Sequence, residues 1–288
     1  MYLGDPVKAR EHLAEAIKFY KEEDFHGLAD DQGANAHGFK SHAEWLLGYP
    51  DEALRHRDDG CRLARRLNKQ FALAFGNTLK AYTDGMRGDF SAAIAAADES
   101  VSICEKMQIP VIGSLSKVFG YYARAQVGNI DGATEQIKRA IEELDAAEFR
   151  LVRSHNLCRL AETQVLVNAL SDASDTIELA LATHPDELIY RPLLFRVRGE
   201  LRLRGAQTSK SEVDLAERDF REAITLAQKM STKSLELRAT SCLARLLRDS
   251  GRRQEALSVL NNIYGWFTEG FDTPDLMEAK ALLEQLNV

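Results

Sequence analysis

The chain has 288 residues, 45% of them apolar and 28% charged, an ordinary balance for a globular protein with a sizeable core. Its 37 basic and 44 acidic side chains leave a net charge of −7 without any basic tract suited to a phosphate backbone, so nucleic acid is a poor partner. No apolar run approaches the ~18 residues that span a bilayer, and the opening MYLGDPVKAR lacks a signal peptide's apolar stretch, so a cytoplasmic chain with no membrane partner is expected.

The first predicted helix covers 6–20, behind Gly4 and Asp5. Apolar residues at helical spacing then predict helices over 33–47, 51–67, 69–87, 89–107, 111–127, 131–147, 150–168 and 170–184. The pattern continues over 187–204, 212–230, 233–250 and 253–264, and no strand-like alternation interrupts it. Pro50, Pro110, Pro185, Pro192 and Pro274 fall at or near predicted helix boundaries, as their missing donor requires. The polar AQTSKS after Gly205 is a loop insertion. At the end, GWFTEGFDTPDLMEAKALLEQL (265–286) supplies Trp266, Phe267 and Phe271 ahead of a last helix starting near Asp275, the make-up of a cap over an apolar face.

These helices repeat. Ala9, Ala53, Ala93, Ala133, Ala173, Ala216 and Ala256 stand close to 40 residues apart, and all but the last are followed seven residues later by Ala16, Gly60, Ser100, Ala140, Ala180 or Ala223. Small residues two turns apart let a neighbouring helix approach closely. Ahead of the alanines stand Gly4, Gly48, Gly88, Gly128, Asn168, Gly205 and Gly251, residues suited to a left-handed helix stop. Asp5, Asp51, Asp89 and Asp131 follow where a helix N-terminus favours a carboxylate. Stacked helix pairs with one shared core make binding the default function.

The chain resembles the tetratricopeptide-repeat (TPR) family, whose second helix carries small residues seven apart and whose first helix carries one twelve earlier, here Ser41, Ala81, Ala161 and Ala244, with Tyr121 departing. The period exceeds the ~34 residues usual for that family. The resemblance implies an all-α, right-handed α-solenoid of antiparallel helix pairs. About seven repeats are expected, the first without its first helix (1–32), then six helix pairs (33–264) and a C-terminal cap (265–288). More narrowly, LLGYPDEALRH (46–56) and the 265–286 segment resemble the C-terminal repeats of bacterial signalling proteins that carry a class III nucleotide cyclase or a winged-helix domain and an AAA-type ATPase module upstream. The expectation is therefore a noncatalytic scaffold for a protein or peptide, or a relay to such upstream domains. The alternative is a sensor whose concave groove closes on a small molecule or signalling peptide. A homodimer through the open N-terminal half repeat is a further expectation.

No enzyme and no cofactor are expected, because the chain lacks both the G-x-x-x-x-G-K-[ST] loop and the G-x-G-x-x-G turn that cradle nucleotides. Cys61, Cys104, Cys158 and Cys242 are scattered singly, without metal-ligand or disulfide spacing. Asp24, His26, Asp30, Asp31, His37 and His42 have the residue types of a metal site, but the histidines lack the i, i+4 spacing of paired ligands and read as a solvated turn. His155 and Glu162 lie seven apart on one helix face, yet no nucleophile or third group accompanies them. The family rule for the concave face instead selects Asn35, His42, Trp45, Thr78, Tyr82, Tyr122, Gln126, His155, Glu162, Arg202, Arg238, Arg245 and Arg248 as partner-binding residues. Tyrosines there hold side chains at small entropic cost, and arginines pair with carboxylates or phosphates.

Overall fold

A computed structural model describes residues 3–183, 186–204 and 209–287, so Pro185, Gly205 and the start of the inserted loop lie outside the described residues. Among those described, every regular element is helical: α1 Pro6–Phe19, α2 Gln32–Leu47, α3 Pro50–Arg66, α4 Gln70–Arg87, α5 Phe90–Met107, α6 Pro110–Gln126 and α7 Ala133–Ala146. These are followed by α8 Arg153–Leu166, α9 Leu170–Ala182, α10 Arg191–Arg202, α11 Lys210–Lys229, α12 Lys233–Asp249, α13 Arg253–Tyr264 and α14 Pro274–Asn287. None of them is long and apolar enough to cross a membrane.

Helices α2 to α13 form six antiparallel pairs stacked into a solenoid, with α1 on one end and α14 on the other. The alanine markers from Ala53 to Ala256 are buried where the second helix of a pair meets the first. Gly60 shows why size matters there: a Cβ would stand 2.9 Å from the Ala34 carbonyl of α2. Helix ends follow one design. Gly48, Gly88, Gly128, Asn168 and Gly251 take positive φ. The next N–H then bonds back five residues, as in Tyr49 to Glu44 and Asp89 to Asp84, both at 2.9 Å. The same closure ends α3, α5, α7 and α11 at Asn68, Gln108, Glu148 and Ser231, where no glycine marks it in the sequence.

Several local expectations change: α7 begins at Ala133 behind Gly132 with no cap from Asp131, and α10 begins at Arg191 rather than 187. Helix α8 starts at Arg153 rather than 150, because Val152 is held at φ 60 and the Glu187 carboxylate accepts the Val152 and Ser154 N–H groups at 2.8 and 3.3 Å. Asp5 and Asp89 do cap α1 and α5. Asp51 instead lies inside α3, whose Asp51 and Glu52 N–H groups are accepted by Glu269, 2.9 and 3.2 Å away and far along the chain.

That contact belongs to a closure. The superhelix winds far enough for α12 to lie beside α2. There Ser234 Oγ donates to the Trp45 carbonyl at 2.5 Å, and Arg238 covers the Trp45 ring at 5.0 Å while donating to the Met86 carbonyl. The loop after α13 sits on the N-terminal repeats: Trp266 meets Tyr49 edge-on, Gly270 N–H donates to Asp51 at 3.2 Å, and Pro274 lies over Gly88. The solenoid is thus a closed ring whose inner helices converge on its axis.

Candidate functional site

The inner helices put large polar and aromatic side chains toward one another, so the ring's centre is filled rather than hollow. Its floor is aromatic: Tyr82 contacts His42, Phe119 and His155 at centroid distances of 4.1, 5.4 and 4.7 Å, and His155 also meets Tyr190 at 4.9 Å. Burial holds His42 far below the usual imidazole range, at about 3. His155 is likewise held well below it, by burial first and then by Arg159.

Above the floor lies a chain of charges. Arg159, 2% exposed, donates Nε to His155 Nε2 at 3.0 Å and Nη1 to the Tyr122 hydroxyl at 2.8 Å and to Glu162 at 2.6 Å. The other oxygen of Glu162 accepts from Arg196 at 2.6 Å, and Arg196 continues to Glu200 at 2.9 Å. Burial alone would raise the Glu162 pKa, but the two guanidiniums outweigh it and hold the carboxyl below its usual range. Cys242 Sγ donates to Glu200 at 3.0 Å, and burial pushes this thiol up to about 12, so it is an inert thiol at neutral pH. Arg238 pairs with Asp275 at 2.8 Å and Arg245 with Glu278, both carboxylates coming from α14. From Glu162 outward, the arginines, the carboxylates and Cys242 line a recess of about 190 Å³ at the mouth of the ring, with Tyr122 and Phe90 as its apolar wall and Arg159 buried behind it.

The sequence-derived residues separate into three places. Tyr122, Glu162, Arg238 and Arg245 line the recess. His42, Trp45, Tyr82 and His155 form the buried floor and the closure beneath it. The others stand apart: Asn35 donates to Asp30, and the buried Thr78 hydroxyl meets Ser100 and Ser116 at 3.0 and 2.7 Å. Arg202 pairs with Glu212 and Asp219 on α11, Arg248 reaches Gln285 outside the recess, and Gln126 ends α6. Arg159 stands between His155 and Glu162, occupying both, so these two do not act as a general base and its orienter.

Sequence reasoning missed Arg159, Arg196, Glu200, Cys242, Asp275 and Glu278. For Arg196 and Glu200 a signal existed. Gly199 packs against the Phe220 ring, where a Cβ would stand 2.6 Å away, and so plays the small-marker role of its pair. Counting three before and one after Gly199 reaches both residues, whereas counting back across the inserted loop loses the register. Asp275 and Glu278 belong to no repeat, and only the fold of α14 over the ring delivers them.

The buried histidines predict a pH dependence. Their folded pKa values lie below the unfolded value near 6.5, so the unfolded chain binds more protons below that pH, and the stability present above it is lost on acidification. Urea denaturation is expected to show stability falling between pH 7 and pH 5, by about 2 kcal/mol for His42, with His155 acting in the same direction. A double His42→Gln, His155→Gln variant should reduce that slope, with His37 and His56 supplying the remainder; an unchanged slope would mean that the His42 and His155 rings are protonated in the fold.

No family model and no curated sequence matches the chain. Solved structures do resemble it. The apo form of RapI has a TM-score of 0.60 at 14% identity, over 96% of this chain and 94% of that one. A Rap protein complexed with Competence and Sporulation Factor has a TM-score of 0.59 at 12% identity, over 96% and 79%. Yeast Tom70 has a TM-score of 0.58 at 13% identity over 97% of this chain, which spans 60% of the length of Tom70. The chain therefore has the all-α helical-repeat solenoid fold, and its helix pairs are of the TPR type.

Proposed function

We propose that this chain is a noncatalytic TPR scaffold that captures a segment of a protein or peptide at the mouth of its closed ring. The observation that supports this most is the recess itself. Arginines and carboxylates alternate there on rigid helices, already oriented by one another, so a partner's charged groups meet fixed donors and acceptors at low ordering cost. A Rap protein of the same fold, solved with Competence and Sporulation Factor, supports the same reading at the level of the fold.

The size of the recess favours a second reading in which the ring acts as a sensor. Its volume of about 190 Å³ suits one side chain or a small ligand, below the ~300–1,000 Å³ of typical ligand pockets, so anything larger requires the ring to open. The 46–56 and 265–286 segments, which resemble the C-terminal repeats of bacterial signalling proteins of the cyclase and ATPase type, meet each other at the closure. On this reading ligand capture changes the closure and is relayed to catalytic domains of a longer polypeptide. Reading the coding frame upstream of Met1 tests that last step.

Thermal melting against parallel panels of peptides and metabolites separates the two readings, because a ligand of the folded state raises the midpoint. Binding of a peptide hit is expected to weaken at least tenfold in Arg245→Ala, whose side chain is 35% exposed at the recess. Midpoint shifts with metabolites alone would sink the scaffold reading, and an unaltered affinity in Arg245→Ala would place the site elsewhere.

A further inference from the structure

On the other side of α2 from the ring's centre, His37 meets α3. Its Nδ1 lies 2.9 Å from Nδ1 of His56, and the Asp59 carboxylate, one helical turn beyond His56 on the same face, lies within 4.8 Å of a ring nitrogen of each histidine. Lys40 Nζ stands 2.9 Å from His56 Nε2. An ammonium has only donors, so Nε2 accepts, the ring proton of His56 sits on Nδ1, and that N–H donates to the lone pair of His37 Nδ1. A single proton thus holds two neutral imidazoles together. Burial pushes both below the usual imidazole range, His56 to about 4, with Lys40 adding to the effect there.

Behind His56 is an anomaly. Glu44 is fully buried, and neither of its oxygens makes a hydrogen bond. Its nearest cations, Lys40 and Arg10, stand at 3.5 and 3.6 Å, and His56 Nε2 lies 3.8 Å from the same oxygen. A buried carboxylate held just out of reach of an imidazole nitrogen is the second half of a carboxylate–histidine–metal arrangement, in which the carboxylate accepts from the ring nitrogen that does not ligate.

We propose that His37 Nδ1, His56 Nδ1 and the Asp59 carboxylate bind one divalent transition-metal ion of the zinc class, with Glu44 as the positioning residue for His56. Two imidazoles and a carboxylate are the donor set such an ion accepts, and a tetrahedral site would spread the two nitrogens from 2.9 Å to roughly 3.3 Å, a small rotation of two side chains. On binding, the proton between the imidazoles leaves Nδ1 for solvent and Nε2 takes one up, so the ring stays neutral and its N–H turns to Glu44. Lys40, released from Nε2, keeps its ion pair with Glu44. Asp59 gives up an exposed pairing with Arg62, which costs little.

Calorimetric titration of the full chain with zinc chloride after dialysis against a chelator tests this. One equivalent is expected to bind, with affinity falling at least tenfold in His37→Gln and in Asp59→Asn, and about 10- to 100-fold in Glu44→Gln. Circular dichroism establishes that each variant folds, and His37 and Asp59, both partly exposed, are the variants least able to disturb the core. Cobalt in place of zinc should give the visible bands of a four-coordinate ion without thiolate charge transfer, which separates this site from the four cysteines. No binding by the unaltered chain, or binding unchanged in His37→Gln and Asp59→Asn, overturns the proposal.

Discussion

Replacing Glu162 with alanine is expected to lower the unfolding free energy by about 3–5 kcal/mol, because it leaves the buried guanidiniums of Arg159 and Arg196 without the carboxylate they share. At roughly 2–4 °C per kcal/mol for a chain of this size, the thermal midpoint should fall by about 10 °C. Urea denaturation measures the first quantity and calorimetry the second. The comparison that isolates the charge is Arg159→Met: it removes one cation from the shared carboxylate, leaves Glu162 paired with Arg196, and should cost less. A loss below about 1 kcal/mol in Glu162→Ala would be the behaviour of an exposed ion pair, and would contradict a largely buried charge chain.

A Gly270→Ala substitution should open the ring. Gly270 adopts φ +72, and a Cβ there would stand 2.0 Å from Pro50 Cγ, so the loop carrying Trp266 and Glu269 is driven off the N-terminal repeats. The expected cost is about 2–4 kcal/mol from strain and lost packing together. Both tryptophans of the chain report on it, since Trp45 lies under Arg238 with 2% exposure and Trp266 packs on Tyr49. In a Trp266→Phe background, Trp45 emission should shift to the red and the radius from small-angle scattering should rise. Spectra and scattering unchanged by Gly270→Ala would show that the loop does not hold the ring shut.

Much of the repeat architecture is legible because it depends on short-range rules. Ala53 and Gly60 sit two turns apart on α3: Ala53 is fully buried, and at Gly60 the α2 backbone leaves no room for a Cβ. Gly48 and Gly88 end helices through a backbone conformation that other residues adopt at a cost. The binding site is less legible. The concave-face rule reaches Tyr122, Glu162, Arg238 and Arg245, since each lies at a set offset from its marker. It passes over Arg159 and Cys242, two residues before Ala161 and Ala244, which reach the ring's centre only because the inner helices converge so tightly.

The division follows from the range of the forces involved. Helix periodicity, stops and small-residue seams are set within one repeat or between neighbours, so the amino-acid sequence by itself determined the stacked helix pairs and which helix of each pair lines the inside. Curvature is different: small rotations between successive pairs accumulate along the solenoid. Only their sum brings α12 to α2, places Glu269 at the start of α3, and seats Asp275 and Glu278 of α14 opposite Arg238 and Arg245. Likewise His37 and His56 are nineteen residues apart, and their 2.9 Å approach exists because α2 and α3 pack antiparallel in a particular register. Tertiary structure decided that the groove is a closed ring with a charged mouth, because side chains distant in sequence meet only after the whole curve is complete.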